Sequence, residues 1–432
     1  MADITQTDAA WSSVLEAYPQ ILEVTERGGV YEIQASDIKR FREPRLMTKF
    51  DTSANLPFSL KRHRLDVLPN SRHSYLIGRF SLYESFPDIT NLRPERITLP
   101  EFETLRVERL TSEVNAINAL KASGALELFL GERRLFETFG GRMGTSDFEF
   151  DVDLDDGSLT EVSVHAAQLE IDGGFESESS IVIMEAKNVL HKDFHVRQLY
   201  YPYRKYFGSV RKPIRLVFSQ YTNLTYYLHE YAFQDFYSYS SIKHLSSRIF
   251  TFEDAQISAS DLWEAWEKTR IVTDDNRERV RIPFPQADRF EIVLSLLEHI
   301  ASFDDGMNIS EVAEFIGYVP RQANYYPGAG EYLGLFDRSD RGKVKLTQLA
   351  KDILTFEHRD RQLAYAQLMF RHEIFHRLFP IAYESGTLPS RSRILEVMRE
   401  LNVCNVEVST APRRASTVLG WLRWLMLLPD EE

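Results

Sequence analysis

Two acidic residues and a lysine near the middle of the chain have the types and spacing needed to hydrolyse a phosphodiester bond. Asp172 follows a strand-like run, and after a turn-rich gap an apolar run, residues 181–184, leads into Glu185-Ala186-Lys187. Side chains alternate between the two faces of a strand, so Glu185 and Lys187 share one face. Burying charged side chains at the end of such a strand costs free energy. Their presence there therefore indicates a functional role. Two carboxylates suit a hard cation such as Mg²⁺, and the lysine supports the attacking water.

The surrounding segments predict a mixed α/β core that positions these three residues. Residues 109–139 are strongly helical, and two further runs, 148–154 and 160–171, predict a hairpin whose second strand delivers the first acid. A helix over residues 193–207 and an apolar strand over 214–219 follow the Glu-x-Lys strand. Helix, hairpin, strand, helix and strand in this order favour a mixed sheet with helices packed against it.

The chain has 432 residues, enough for about two to four domains of ordinary size. The pattern predicts an N-terminal α+β domain over residues 1–105, which would recognise DNA, and a core domain over residues 106–288. Residues 289–350 contain a helix, a short helix, a turn, a helix and a charged hairpin, which is the order of a winged helix. Residues 351–432 predict a C-terminal helical domain.

The composition excludes several classes of protein. Hydrophobic residues make up 43% of the chain and aromatic residues 12%, which rules out a disordered chain. No apolar run approaches the ~18 residues of a membrane span, and the N-terminus lacks the pattern of a signal peptide. The single cysteine, Cys404, excludes an internal disulfide and a cysteine-based zinc site. We therefore predict a cytoplasmic protein with no membrane partner.

The net charge of −13 opposes a nucleic-acid partner for the chain as a whole, but nucleic acids bind to local patches. Residues 37–64 contain eight lysine and arginine residues against three acids. This run predicts double-stranded DNA as a partner. The side chains expected to contact it are Lys39, Arg42, Arg45, Lys49 and Asn55. The alternative is an ordinary solvated surface.

Two further segments have side chains suited to DNA. On the helix after the core strand, Arg197, Tyr201 and Arg204 form a stripe at i, i+4 and i+7 that suits phosphate contacts. The alternative there is a packed aromatic helix with its cations at the surface. The winged helix adds side chains that bond purine edges or phosphates: Arg321, Gln322 and Asn324 on its second helix, and Arg341 and Lys343 on its wing. In the C-terminal helical domain, Arg413 and Arg414, before the last helix, are a further candidate contact. Winged helices also bind proteins, and that alternative stays open.

Two motifs approach the spacing of metal sites. Residues 372–376, His-Glu-Ile-Phe-His, match the zincin pattern, in which two histidines on one helical face bind Zn²⁺. A proline follows closely and apolar side chains crowd the segment, so structural packing is favoured over a metalloprotease. Residues 151–155, Asp-Val-Asp-Leu-Asp, are spaced like a calcium loop, but the glycine and glutamate that follow miss the required positions by one. Their alternating apolar neighbours favour a strand.

The arrangement Asp172…Glu185-x-Lys187 resembles the PD-(D/E)XK nuclease superfamily, with Ile171-Asp172 in place of the usual Pro-Asp. The resemblance implies a restriction-endonuclease-like core, a mixed sheet flanked by helices. It implies that Asp172 and Glu185 bind one or two Mg²⁺, with the backbone carbonyl of Ala186 as a further ligand.

The same resemblance implies further site residues outside the two strands. Members of the superfamily place a Gln or Tyr from the next helix beside the metal, which makes Gln198 and Tyr201 candidates. Many carry an extra acid on the upstream helix. Glu113 is favoured over Glu127 for that role because it lies early on its helix.

A wider similarity is to a group of bacterial type II restriction enzymes. It runs from residues 37–58 through Gly141–Gly144 and the Asp…Glu-x-Lys core to residues 197–204, Arg-Gln-Leu-Tyr-Tyr-Pro-Tyr-Arg. It implies Mg²⁺-dependent, sequence-specific cleavage of double-stranded DNA by a homodimer, with a cognate DNA methyltransferase as a separate protein. Two alternatives are a structure-specific or repair nuclease, and a non-catalytic DNA-binding regulator on a degenerate nuclease fold.

Overall fold

The computed structural model describes residues 5–89, 91–107, 110, 112–252, 257–272, 283–340, 342–403 and 410–429. Arg341 and Cys404 lie outside these ranges. The chain divides into two compact units between Thr251 and Phe252, with Gly317–Val319 assigned to the first. Both units contain helices and strands, which confirms the predicted mixed class, while the predicted domain boundaries stay predictions. Among the helices of the described ranges, none combines the length and apolar character needed to cross a membrane.

Unit one begins with helices packed on a small antiparallel sheet. Its helices are α1 Gln6–Ala17, α2 Gln20–Thr25, α3 Ala35–Lys39, α4 Pro44–Thr48 and α5 Phe58–Lys61, and its strands are β1 Tyr31–Gln34, β2 Asp66–Pro69 and β3 Ser74–Gly78. β3 lies between β1 and β2 and is antiparallel to both. Trp11 is fully buried in the core, and its indole N–H donates to the carbonyl of Met47 at 2.8 Å. This hydrogen bond connects α1 to α4 and holds α4 in position.

A seven-stranded sheet forms the main body of unit one. Its seven strands are β5 Pro94–Arg96, β6 Phe136–Gly144, β9 Gln168–Glu176, β10 Ile181–Lys187, β12 Ile214–Thr222, β13 Thr225–Phe233 and β14 Ile242–Thr251. Two strand pairs lie outside this sheet: β4 Tyr83–Ser85 with β11 Asp193–His195, and β7 Phe148–Asp153 with β8 Leu159–Val164. The helices of this part are α6 Glu113–Ala122, α7 Ala125–Leu130 and α8 Arg197–Phe207. The strand order is β5-β14-β13-β12-β10-β9-β6. β10 is parallel to β12 and β14 to β5, and the other neighbours are antiparallel.

β10 is an interior strand of this sheet. Its residues from Ile181 to Ala186 are all buried between β9 on one side and β12 on the other. α8 crosses from the end of β10 to the start of β12, which is what allows the two strands to run parallel. Leu199 and Tyr200 of α8 pack in the same core as Ile183 of β10. The N-terminus of α8 is thereby held near the end of β10.

The segments before β10 differ from the sequence prediction in two places. The helix predicted over residues 109–139 ends at α7, because Gly131 adopts a left-handed conformation there, and β6 follows. The single returning strand predicted over residues 160–171 is two strands, because Ala166 turns the chain with φ of 49° between β8 and β9. β7 and β8 form a separate hairpin, and β9 enters the main sheet between β6 and β10.

Gly174 in β9 is required by close packing rather than by a turn. A Cβ placed on Gly174 would overlap both the carbonyl oxygen and the ring of Phe139 on β6. We expect Gly174→Ala to lower the free energy of unfolding by about 1–3 kcal/mol, the usual cost of overpacking. Chemical denaturation measures this change. Gly208→Ala is the control, because nothing lies within 4 Å of a Cβ at Gly208; equal stability of the two variants would contradict the expectation.

Unit two combines a small sheet with a set of helices. Its helices are α9 Ala259–Lys268, α10 Phe290–Ile300, α11 Ile309–Ile316, α12 Pro320–Ala323, α13 Tyr325–Tyr332, α14 Gln348–Leu354, α15 His358–Phe370, α16 Glu373–Ser385, α17 Arg391–Glu400 and α18 Ala411–Leu427, and its strands are β15 Met307–Asn308, β16 Phe336–Asp337 and β17 Lys343–Leu346. The three strands form an antiparallel sheet in the order β15-β17-β16.

The helix predicted to open near Pro320 is interrupted. The structure divides it into α12 and α13 at Asn324. Pro327 explains the break, because it has no N–H to donate to the carbonyl of Ala323, four residues earlier, where α12 ends. Arg321 and Gln322 therefore lie on the short α12, and Asn324 precedes α13.

Candidate active site

Glu185 and Lys187 occupy the end of β10 inside unit one. Glu185 is 7% exposed and the Lys187 side chain is 15% exposed, although both carry ionisable groups. Such burial is tolerated only when charged groups have partners. The partners come from β9, from α6 and from α8, so three elements converge on the end of this strand.

Asp172 is the partner from β9. It lies inside the strand, and not at its end as predicted, and it directly precedes Gly173, which pairs with Met184 of β10. The Asp172 Oδ2 atom accepts a hydrogen bond from the backbone N–H of Ala186 at 2.9 Å. The carboxylate is therefore held against the Glu185-Ala186-Lys187 segment by the backbone itself.

The Lys187 ammonium lies among the oxygens of the site. Its Nζ atom donates to Glu185 Oε1 at 2.7 Å and to the Ala186 carbonyl oxygen at 2.9 Å. It lies 3.4 Å from Glu113 Oε1 and 3.8 Å from Asp172 Oδ2. The ammonium thus lies within 3.8 Å of three carboxyl groups.

Gln198 joins the site from the first turn of α8, as the resemblance implied. Its Nε2 donates to Glu185 Oε1. Its own Oε1 is buried and has no hydrogen-bond partner in the described part of the chain. This amide oxygen is a free acceptor beside the carboxylate of Glu185.

Of the two acids proposed on the upstream helix, the structure brings Glu113 to the site. Glu113 is the first residue of α6, whose N-cap is Ser112. Glu127 lies on α7, where it pairs with Lys121 and accepts the backbone N–H of Leu135 at 3.2 Å. The preference for Glu113 over Glu127 therefore agrees with the geometry.

Burial and mutual repulsion determine the protonation of these carboxylates. Burial, reinforced by the charge of Asp172, raises the pKa of Glu185 to about 8. Burial also raises the pKa of Glu113. Burial alone would lower the pKa of Lys187, but the nearby Glu185, Glu113 and Asp172 raise it well above its ordinary value. The lysine is therefore charged at neutral pH, whereas Glu185 retains its proton over much of the neutral range.

The donor atoms at this point suit a hard divalent cation. Asp172 and Glu185 supply carboxylate oxygens and Ala186 a carbonyl oxygen, the ligand types that Mg²⁺ prefers. The unpartnered Oε1 of Gln198 is a further oxygen nearby. No group of three or more His, Cys, Asp and Glu side chains able to hold a metal occurs in the described ranges, so the candidate set combines two carboxylates with amide oxygens.

These residues line a cleft of about 560 Å³ that lies wholly in unit one. One wall comes from the N-terminal region and includes Arg45, Lys49, Asp51 and Arg72. Further charged and amide side chains of the lining come from α6, the main sheet and α8: Glu113, Arg142, Glu170, Asp172, Glu185, Lys187, Arg197 and Gln198. The lining thus combines acidic residues with lysines and arginines from both parts of unit one.

Three family models match successive parts of the chain, and each is described as a domain of unknown function. DUF6996 matches residues 8–77, DUF6997 residues 78–251 and DUF7226 residues 292–430. Asp172, Glu185 and Lys187 lie in the second match, and the wall that contains Arg72 lies in the first. No curated protein and no solved structure matches the chain.

The cleft contains some, but not all, of the predicted DNA contacts of unit one. Arg45, Lys49 and Arg197 line it. Lys39 is exposed on α3, Arg42 donates to the hydroxyl of Thr7 at 2.7 Å, and Asn55 is half-buried after α4. These last three residues do not line the cleft.

The structure contradicts the predicted phosphate contacts of Tyr201 and Arg204. Tyr201 is fully buried, and its hydroxyl donates to the carbonyl of Pro69 at 2.7 Å. Arg204 is 7% exposed and donates to the carbonyl of Glu149 at 2.9 Å, with its guanidinium over the ring of Phe236. Both side chains face the core, where they cannot reach phosphates, because this face of α8 packs against aromatic residues. The alternative of a packed aromatic helix holds for them.

The predicted DNA-contact residues of unit two differ in their exposure and contacts. Arg321 and Gln322 are exposed on α12, and the side-chain oxygen of Asn324 accepts from Arg338 at 2.7 Å. Lys343 is half-buried at the start of β17. On α18, Arg413 is exposed and Arg414 half-buried.

The two histidines of the zincin-like segment, residues 372–376, take part in packing and backbone contacts. His372 precedes the first residue of α16, and its ring stacks on Tyr332 with centroids 3.8 Å apart. His376 lies inside α16, and its carbonyl accepts the indole N–H of Trp266 at 2.9 Å. This agrees with the packing interpretation of the motif.

Four charged cleft residues were missed by the sequence analysis: Asp51, Arg72, Arg142 and Glu170. Burial would raise the pKa of Asp51, but Lys49, Lys187 and Arg197 hold it below its ordinary value. Its backbone carbonyl accepts the N–H of His195 at 2.9 Å, which ties the N-terminal wall to β11. The available signal for Asp51 was its position as one of only three acids in the basic run of residues 37–64.

Proposed function

We propose that this protein is a Mg²⁺-dependent endonuclease that cleaves double-stranded DNA. The observation that supports it most directly is the contact of Asp172 with the Glu185-Ala186-Lys187 segment across two antiparallel strands, in a cleft that also contains five arginines and lysines besides Lys187. Carboxylates that can hold a cation, next to a charged lysine, are the groups needed for phosphodiester hydrolysis. The arginines and lysines around them suit a polyanionic substrate.

The order of elements supports a PD-(D/E)XK core for this region. The helices α6 and α7 come first, followed by the antiparallel strands β6, β9 and β10. α8 then crosses to β12, which is parallel to β10. The resemblance implied a mixed sheet with helices on it. The strand before β9 in this sheet is β6, which was not predicted, and the predicted hairpin strand, β7, pairs with β8 outside the main sheet.

Each residue of the proposed site has a distinct task. Asp172, Glu185 and the Ala186 carbonyl would hold Mg²⁺, which supplies charge neutralisation at the phosphate and a lowered pKa for the attacking water. Gln198 orients Glu185 through its hydrogen bond. Lys187, held in the charged form by its neighbours, donates a hydrogen bond to the attacking water and stabilises the negative charge on the phosphate oxygens.

Unit two would supply a second DNA contact. The order α10, β15, α11, α12 with α13, β16 and β17, with its three-stranded sheet, supports the predicted winged helix. Arg321 and Gln322 are exposed on the second helical segment, where a winged helix contacts the major groove. Recognition of a specific sequence would fit a type II restriction enzyme, with a homodimer for symmetric cutting and a separate methyltransferase to protect the host.

The proposal is tested by incubating the protein with Mg²⁺ and unmethylated phage DNA and sequencing the fragment ends. A discrete set of ends supports a site-specific endonuclease. Ends spread over all sequences indicate instead a nuclease without sequence preference. DNA that is bound but left intact at all Mg²⁺ concentrations indicates the non-catalytic regulator.

The raised pKa of Glu185 leads to a pH dependence of the Mg²⁺ requirement. Below about pH 8 the folded protein holds a proton on Glu185, and a cation must displace it. We expect the apparent dissociation constant for Mg²⁺ to rise by up to about tenfold for each pH unit below 8, and to level off above it. Calorimetric titration across this range measures it. Glu185→Gln should remove the dependence, and a flat profile in the unmodified protein would refute the prediction.

A further inference from the structure

Three arginines of the cleft form no ion pair within 4.0 Å in the part of the chain that the structure describes: Arg45, Arg72 and Arg197. Arg197 acts on Asp51 only at longer range. Other cations of the same cleft are paired. Lys49 lies 3.5 Å from Asp51, and Arg142 lies 3.0 Å from Glu170. The unpaired guanidiniums are therefore a distinct set within this cleft.

Each of the three is positioned by its surroundings. Arg72 follows the turn after β2, and its guanidinium lies over Gly144 of β6, where a Cβ would come 3.1 Å from Nη2. Arg45 lies on α4, which is anchored through the bond from Trp11 to the carbonyl of Met47. The absence of a side chain at position 144 is what leaves room for Arg72 at the edge of the cleft.

Arg197 is next in sequence to a residue of the carboxylate site. It is the first residue of α8 and directly precedes Gln198, which bonds Glu185. Its Nε atom is buried and has no hydrogen-bond partner among the described residues. A buried donor without an acceptor costs free energy, so this position favours an anion that brings oxygen acceptors. The fork of N–H groups on a guanidinium matches the oxygens of a phosphate.

We propose that Arg72, together with Arg45 and Arg197, binds phosphates of the DNA backbone in this cleft. Arg197 binds the phosphate next to Glu185, and Arg45 and Arg72 bind phosphates farther along the strand. The inference rests on the proposed function for its choice of DNA, and it makes the N-terminal wall part of the substrate site. Arg72 thereby becomes a binding residue of the cleft, and Arg197 contacts the phosphate that is cleaved.

The test is the salt dependence of DNA binding, measured without metal so that cleavage plays no part. Fluorescence anisotropy with a duplex gives the slope of log affinity against log salt concentration, which falls by about one for each phosphate that the protein no longer binds. We expect Arg72→Ala to reduce the slope by about one and the affinity by about tenfold at low salt, and Arg72→Lys to retain most of both. Arg62→Ala is the matched control, because Arg62 is an exposed arginine of the same region that does not line the cleft.

Kinetics add a second measurement. With Mg²⁺, Arg72→Ala should raise KM and leave kcat unchanged, whereas Arg197→Ala should lower kcat. If Arg72→Ala changes the slope no more than Arg62→Ala, the inference is wrong even when the protein cleaves DNA. If the slope changes as expected but no Mg²⁺-dependent cleavage occurs, the phosphate site stands and the nuclease proposal fails. If the duplex does not bind at all, both are wrong.

Discussion

Lys187→Ala is expected to abolish Mg²⁺-dependent DNA cleavage while leaving DNA binding intact. The ammonium lies among Glu185, Glu113 and Asp172 and cannot be replaced by a neighbouring side chain in this position. Loss of a group that assists proton transfer or charge stabilisation at the reacting centre lowers the rate by about 10²–10⁴-fold. Single-turnover cleavage of a labelled duplex measures the rate, and anisotropy measures binding.

Lys212→Ala is the matched control for this variant. Lys212 forms an ion pair with Glu176 at 2.6 Å, at the end of β9 remote from the Glu-x-Lys segment, and it does not line the cleft. The control should cleave DNA at the rate of the unmodified protein. If the Lys187→Ala variant cleaved equally fast, Lys187 would have no catalytic task and the proposed site would be wrong.

Asp172→Asn should separate the catalytic use of this residue from its structural use. An asparagine oxygen can still accept the N–H of Ala186, so the fold of β9 and β10 should be kept. Removing the charge should weaken Mg²⁺ binding by more than about 100-fold. Loss of a residue that only hydrogen-bonds to a metal ligand already weakens metal binding by about 10- to 100-fold. Calorimetric titration with Mg²⁺ measures the affinity, and cleavage should fall in parallel.

Asp172→Ala provides the comparison. It removes the acceptor as well as the charge, and the Ala186 N–H is left without a partner at a buried position. We expect a decrease of about 1–3 kcal/mol in the free energy of unfolding for Asp172→Ala and no comparable decrease for Asp172→Asn. Equal Mg²⁺ affinity in Asp172→Asn and the unmodified protein would remove Asp172 from the cation site.

The core strand could be predicted from the sequence because its signal is local. Alternation and apolar character put Glu185 and Lys187 on one face at the end of a buried strand, and β10 has this form. The position of Asp172 within its strand could not be predicted in the same way. Gly173 and Gly174 are typical of a turn, but here they continue β9, because Gly174 must pass close to Phe139 of β6. That requirement depends on a strand distant in sequence.

The composition of the cleft also depends on distant contacts. Gln198 was named because the resemblance to the nuclease superfamily implies a Gln or Tyr beside the metal from the helix after the core strand. Arg72 and Asp51 were missed because nothing local links them to β10; their place depends on the packing of the N-terminal region, including the bond from the His195 N–H to the Asp51 carbonyl. Arg204, in contrast, was predicted to contact phosphates but does not line the cleft. Its helical spacing suited an exposed stripe, but the aromatic residues around it bury that face of α8.

The position of Lys187 has a consequence for the protein before any metal arrives. Its Nζ atom contacts Glu185 and the Ala186 carbonyl oxygen and lies within 3.8 Å of Asp172, the groups proposed as cation ligands. The lysine thus serves as an internal counter-ion that keeps these oxygens together in the metal-free chain. A Mg²⁺ ion bound by these oxygens would take over this role from the ammonium and would also displace the proton of Glu185 at neutral pH. The proposed cation site is therefore stable without its cation, because the lysine already supplies a positive charge.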